Sequence, residues 1–164
     1  MRVLDNPYTQ TYRRFKSDVM SSAFPWNYFH GDDATPPYYS HTILARPGYE
    51  ESLMPTQQSD WLNIANRVLL EIFMANSIYV KSVLRINVNC THETDGRTTP
   101  THMDHDFDTH NIVVYLNQFD CGATNVEGGS HNPQEDDIII FKGLHSIEQP
   151  CNGTRRVVLV ATYL

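Results

Sequence analysis

The chain reads as a mainly β protein with helices at its N-terminal end, a β-sandwich or barrel being built after residue 78. Two observations predict this. Apolar residues recur at three- and four-residue steps in the first half, whereas in the second half they crowd into short β-branched and aromatic runs. Turn-prone residues separate those runs at the spacing of a small all-β core. A shorter helix over residues 8–20 gathers Tyr12, Phe15 and Val19 on one side. Residues 21–56, with Phe24-Pro25-Trp26, Asp32-Asp33 and Pro36-Pro37, read as loops carrying one or two short strands. Within residues 57–76, Trp61, Ile64, Ala65, Val68, Leu69, Ile72 and Phe73 share a helical face, and Ser59 or Asp60 can cap its start. That helix is expected to cover the outer face of one sheet. Strands are expected over 79–90, 111–117, 137–142 and 155–163, divided by turns at Thr94-Asp95-Gly96, Asp120 to Gly122, Gly128-Gly129 and Asn152-Gly153.

A chain of 164 residues makes one domain, 1–78 supporting a core of 79–164. Apolar residues are 40% against 19% charged, enough for a core. No apolar run reaches the ~20 residues that span a bilayer. The start, MRVLDNPYTQ, lacks the apolar stretch of a secretion signal, which points to the cytoplasm. A net charge of −7 argues against general binding to a nucleic-acid backbone. The three cysteines, Cys90, Cys121 and Cys151, are odd in number and form no CxxC pair, so free buried thiols in a reducing compartment are expected.

Chemistry is signalled by histidine crowding at His92, His102, His105 and His110. His102 and Asp104 are two residues apart and, on a strand, aim at one point. His145 follows the apolar run 137–142. Two imidazoles and one carboxylate suit iron(II) and leave coordination positions open, and zinc could use the same set with water. Asp104, Asp106 and Asp108 alternate as in a calcium loop, but its glycine and closing glutamate are missing at the required offsets. Arg155, in Gly153-Thr154-Arg155 at the opening of the last strand, can grip a carboxylate through two parallel hydrogen bonds. His92, His105 and His110 are expected to line or flank the site rather than ligate. Trp26, Tyr38 and Tyr39 are expected to pack onto the core, and Asp136-Asp137 to form a solvated turn.

The ordered set His102-Met103-Asp104, Tyr115-Leu116-Asn117, Gly122-Ala123-Thr124, Ile138-Ile139-Ile140-Phe141, His145 and Gly153-Thr154-Arg155 resembles the iron(II)- and 2-oxoglutarate-dependent oxygenases. Within these it is most similar to prolyl-4-hydroxylase-like proteins, including short phage members. Arg85-Ile86-Asn87-Val88-Asn89 also resembles the first core strand of the phage group, and Phe24-Pro25-Trp26 its N-terminal region. The resemblance covers Leu84 to Tyr163 well and the rest loosely. It implies a double-stranded β-helix, a cupin-like jelly-roll. It implies Fe(2+) held by His102, Asp104 and His145, with 2-oxoglutarate held by Arg155, Tyr115 and, more weakly, Asn89. It implies hydroxylation of a prolyl or other peptidyl side chain, or of an amino acid, with O2 consumed, succinate and CO2 released, and ascorbate in support. The chain departs from the family pattern at Cys121-Gly122, where a glycine pair is usual, and in a long stretch from Glu93 to Pro100 that could act as a lid. Arg156 beside Arg155 leaves open which guanidinium turns inward, family spacing favouring Arg155. Two other readings stand beside this one: a non-catalytic β-sandwich binding module, and a cupin-like metalloenzyme that does not use 2-oxoglutarate.

Overall fold

The β-branched runs of the second half do pair into sheets, and the first half adds strands to them. A computed structural model describes all 164 residues. In chain order the elements are β1 (Arg2–Leu4), α1 (Gln10–Val19), β2 (Asn27–Phe29), β3 (Tyr38–Ala45), β4 (Thr56–Gln57), α2 (Leu62–Ala75) and β5 (Val83–His92). There follow β6 (His110–Tyr115), β7 (Asp120–Cys121), β8 (Thr124–Val126), β9 (Gly129–His131), β10 (Ile138–Lys142), β11 (His145–Ile147), β12 (Pro150–Cys151) and β13 (Arg155–Tyr163). The main sheet runs β1-β10-β6-β13-β5-β3-β2, with β4 alongside β3. A smaller layer is made by β11-β8-β9 and by the pair β12-β7. All pairings are antiparallel. This is a double-stranded β-helix with helices on one outer face. Beside the expected helices and loops, the N-terminal residues contribute β1, β2 and β3 to the main sheet.

Strand parity sorts the core into two layers. On β13, Val157, Leu159, Ala161 and Tyr163 join Ile86 and Val88 of β5, Ile112 and Val114 of β6, and the buried faces of both helices. From α1 come Tyr12, Phe15 and Val19; from α2 come Ala65, Val68, Leu69, Ile72 and Phe73. Each such large side chain contributes about 1.5–3 kcal/mol by leaving water. The opposite parity encloses the inside of the jelly-roll, where Val113, Tyr115, Phe119, Ile139, Phe141 and Val158 cluster. Thr9 caps α1, its hydroxyl accepting from Tyr12 N at 3.1 Å. Asp136 is not merely solvated: it accepts from Tyr12 Oη and Lys16 Nζ and ties α1 to the turn before β10. Asp137 pairs with His131.

The cysteine expectation is overturned. Cys121 and Cys151 form a disulfide, and only Cys90 is free and buried. The cause is topological. β7 and β12 pair with Pro150 opposite Cys121, bringing the two cysteine Cα atoms to 5.5 Å across 30 residues of sequence. No local spacing announces that contact. The disulfide also removes the cysteine argument for a reducing compartment. No helix is long and apolar enough to cross a membrane. Cross-linking a loop of this size stabilises by roughly 3 kcal/mol. Cys151→Ser is therefore expected to melt about 6–12 °C below wild type by calorimetry, and wild type in reductant should match it.

Candidate metal and carboxylate site

His102 and Asp104 do not converge through strand alternation as the spacing suggests. Residues 103–108 form no strand, and His102 touches the sheet at a single bridge to His145. Two backbone hydrogen bonds make that bridge, His102 N to His145 O at 2.9 Å and His145 N to His102 O at 3.0 Å. They set the two rings side by side, with centroids 4.4 Å apart. Asp104 reaches the same point from the loop, its Oδ2 lying 3.7 Å from His145 Nε2. One donor atom from each of the three lies within 4.8 Å of the others, so the group could hold a metal ion.

The tautomers suit that use. His102 Nδ1 donates to Pro100 O at 2.8 Å and His145 Nδ1 to Gly143 O at 3.3 Å. A carbonyl can only accept, so each Nε2 keeps a free lone pair. Burial pushes the His145 pKa down, the neighbouring His102 adds to this, and Asp104 opposes both. The neutral imidazole that a metal requires is thereby favoured.

The residues open onto a cavity of about 90 Å³ inside the jelly-roll, walled by Val113, Phe141, Val158 and Val160 and reached by Arg85, Asn89, Thr124 and Arg156. An outer groove of about 290 Å³ adjoins it, sharing Arg85, Asn89, His102, Ile147 and Arg156 and adding Pro36, Tyr38, Thr91, Thr99 and Pro100. Of the expected aromatic residues, Trp26 packs on Phe24, whereas Tyr38 lines this groove and stacks on Phe29, and Tyr39 is exposed.

Arg155 is not in the cavity. It is exposed at the start of β13, opposite His92 and on the helix-side parity of Val157 and Leu159. Arg156 takes the inward parity with Val158 and is buried to 2% exposure. Both parities of this strand are apolar, so periodicity alone cannot choose between the two guanidiniums. Arg156 Nη2 donates to Thr124 Oγ1 at 3.0 Å, and the guanidinium lies 5.3 Å from the Tyr115 ring centroid. Tyr115 Oη and Thr124 Oγ1 are 2.8 Å apart. Both partners are neutral, and Arg156 Nε has none. Burial pushes the Arg156 pKa down and the Tyr115 pKa up, Arg156 opposing the latter. Gly122 permits this packing: at φ +69° its Cβ would stand 2.7 Å from the Phe119 ring and 3.3 Å from Arg156 Cδ.

Asn89 does line the cavity, with Oδ1 accepting from Ser40 Oγ at 2.7 Å. Tyr115 stands behind Thr124 and Arg156 rather than on the cavity wall. His92 and His110 lie away from the cavity, against Tyr39 and Tyr163, and His105 meets only its edge through Thr162. The stretch from Glu93 to Pro100 is tied down. Gln149 Oε1 accepts from Thr94 N, Asp95 N and Gly96 N, and Thr99 bonds Ile147. Arg85 and Thr124 stand in the sequence motifs without a role of their own, although Arg85, Asn87 and Asn89 at period two in an apolar strand are a visible signal.

No protein-family model matches the chain, and no curated protein does. Solved structures do. An oxidoreductase of the 2OG-Fe(II) oxygenase family from Burkholderia pseudomallei superposes with TM-score 0.68 at 17% identity, over 96% of this chain and 82% of that one. A prolyl hydroxylase from Trichoplax adhaerens, solved with a hypoxia-inducible-factor peptide fragment, superposes with TM-score 0.62 at 11% identity, over 99% and 82%. SnoN, a non-heme α-ketoglutarate-dependent epimerase from nogalamycin biosynthesis, also gives TM-score 0.62, at 10% identity over 99% and 76%. The chain has the double-stranded β-helix fold of the 2OG-Fe(II) oxygenases, prolyl hydroxylases among them.

Proposed function

We propose that residues 1–164 form one iron(II)- and 2-oxoglutarate-dependent oxygenase domain that hydroxylates a prolyl or other peptidyl side chain, or an amino acid. The observation that carries this reading is a buried guanidinium without an anionic partner, facing the same cavity as a converged His-Asp-His set. Burying an unpaired cation costs several kcal/mol, which an incoming carboxylate offsets. The donor set fits iron(II), and Arg156 with Thr124 fits the distal carboxylate of a short dicarboxylate.

In this reading His102, Asp104 and His145 hold the metal through two Nε2 atoms and Asp104 Oδ2. Arg156 replaces Arg155 as the carboxylate clamp. Thr124, backed by Tyr115 Oη, orients it, and Asn89 lines the path of the cosubstrate. When bound, iron(II) and 2-oxoglutarate supply an O2-dependent oxidative decarboxylation that yields succinate, CO2 and a hydroxylated substrate. Val113, Phe141, Val158 and Val160 keep water from the reacting centre. The outer groove beside Tyr38 is the approach for substrate, and a peptide fits its open form better than a nucleic acid does a chain of net charge −7.

The test is anaerobic titration of 2-oxoglutarate into the iron(II)-loaded protein, followed by admission of air with ascorbate present. A visible charge-transfer band and then succinate are expected. Metal binding without any response to 2-oxoglutarate would instead select the cupin-like metalloenzyme, and no metal binding would select the binding module.

A further inference from the structure

We propose that Arg85 is a positioning residue for the Asp104 carboxylate, occupying one of its oxygens so that only the other is offered to the metal. This rests on the oxygenase reading above. Asp104 lies in a loop without strand pairing, so its backbone does not fix where its carboxylate points. Arg85 stands on β5, between buried Leu84 and Ile86, with its backbone opposite Thr162 of β13. A rigid element therefore supplies the guanidinium and a loop supplies the acid. Arg85 Nη1 donates to Asp104 Oδ1 at 2.5 Å, while Oδ2 is the oxygen nearer His145 Nε2, at 3.7 Å. Both side chains are well shielded, 25% and 15% exposed, so the pair is weakly screened by solvent. The loop has a second tie, Arg46 Nη1 donating to Asp104 O at 2.9 Å from the residue just past the end of β3.

The consequence is a coordination count. A free carboxylate can close on a metal with both oxygens. With two imidazoles already bound, the second oxygen would take one of the three positions a chelating cosubstrate and dioxygen need. An arginine on Oδ1 prevents this and also balances the charge of Asp104 before any metal arrives. Arg85 borders both the inner cavity and the outer groove, so the competing assignment is a direct contact with substrate.

The probe is Mn2+ alone, titrated into wild type, Arg85→Met and Arg85→Lys, with affinity and bound-water number read from water-proton relaxation. Arg85→Met is expected to weaken Mn2+ about 10–100-fold. It should also carry about one water fewer on the ion. Arg85→Lys, which keeps a charged donor, should recover most of both. Arg85→Leu serves in place of Arg85→Met should the latter not fold. Mn2+ affinity within about twofold of wild type in the donor-less variant overturns the proposal and leaves Arg85 to the substrate. Weakened binding with unchanged hydration and no recovery in Arg85→Lys also overturns it, marking a packing defect. Wild type that binds no Mn2+ sinks the oxygenase reading itself, a result distinct from either.

Discussion

Arg156→Met should lose 2-oxoglutarate while Arg155→Met keeps it. Truncating one partner of a buried, charge-assisted contact costs about 2–5 kcal/mol, and at the lower middle of that range affinity falls roughly 100-fold. Arg155 is exposed on the opposite face of the strand, so Arg155→Met should bind within about twofold of wild type. The stability of the ligand-free proteins has the opposite sign. Wild type buries the Arg156 cation against two neutral neighbours, with Nε unpaired. Methionine keeps much of the aliphatic stem and removes that charge, so ligand-free Arg156→Met should melt at or above wild type. Adding 2-oxoglutarate to the metal-loaded proteins should then raise the wild-type melting temperature further and leave that of metal-loaded Arg156→Met nearly where it was. Calorimetry with and without ligand reads both effects. An Arg156→Met protein that is destabilised without ligand yet still binds 2-oxoglutarate would make Arg156 a structural residue and leave the cavity without its clamp.

The two adjacent arginines show where sequence reading stops. The amphipathic stripe of α2 and the β-branched strands are local periodicities, and the helices and core strands expected from them are present within a few residues. The order of motifs from His102 to the last strand carries the fold as well. Choosing between Arg155 and Arg156 needs the phase of β13, and Val157 to Val160 are apolar on both sides because each face of this central strand is covered. The Cys121–Cys151 disulfide fails to show for a related reason: it depends on β7 meeting β12, a pairing of two-residue strands that leaves no pattern in the sequence. Residues 102–104 teach the reverse lesson. Their convergence was legible, but the strand geometry offered for it was wrong, because a one-residue bridge to His145 does the work of a strand.

Asp104→Ala should abolish specific metal binding, a loss beyond about 100-fold for Mn2+ that exceeds the expected effect of Arg85→Met. Of the three donors it alone carries charge, and a divalent cation held by two neutral imidazoles has no negative charge to help offset its desolvation. The substitution also strands the Arg85 guanidinium beside His145, so a positive group faces the incoming ion where a carboxylate stood. Asp104→Asn separates these contributions. It keeps the shape and an oxygen but not the charge, and should remain far weaker than wild type. If loss of the carboxylate charge dominates, Asp104→Asn will resemble Asp104→Ala in Mn2+ titration; if shape dominates, it will resemble wild type. Succinate formation should vanish in both, because 2-oxoglutarate held by Arg156 alone has no metal to chelate. Mn2+ binding by Asp104→Ala at near wild-type affinity would place the metal elsewhere and detach His102 and His145 from it.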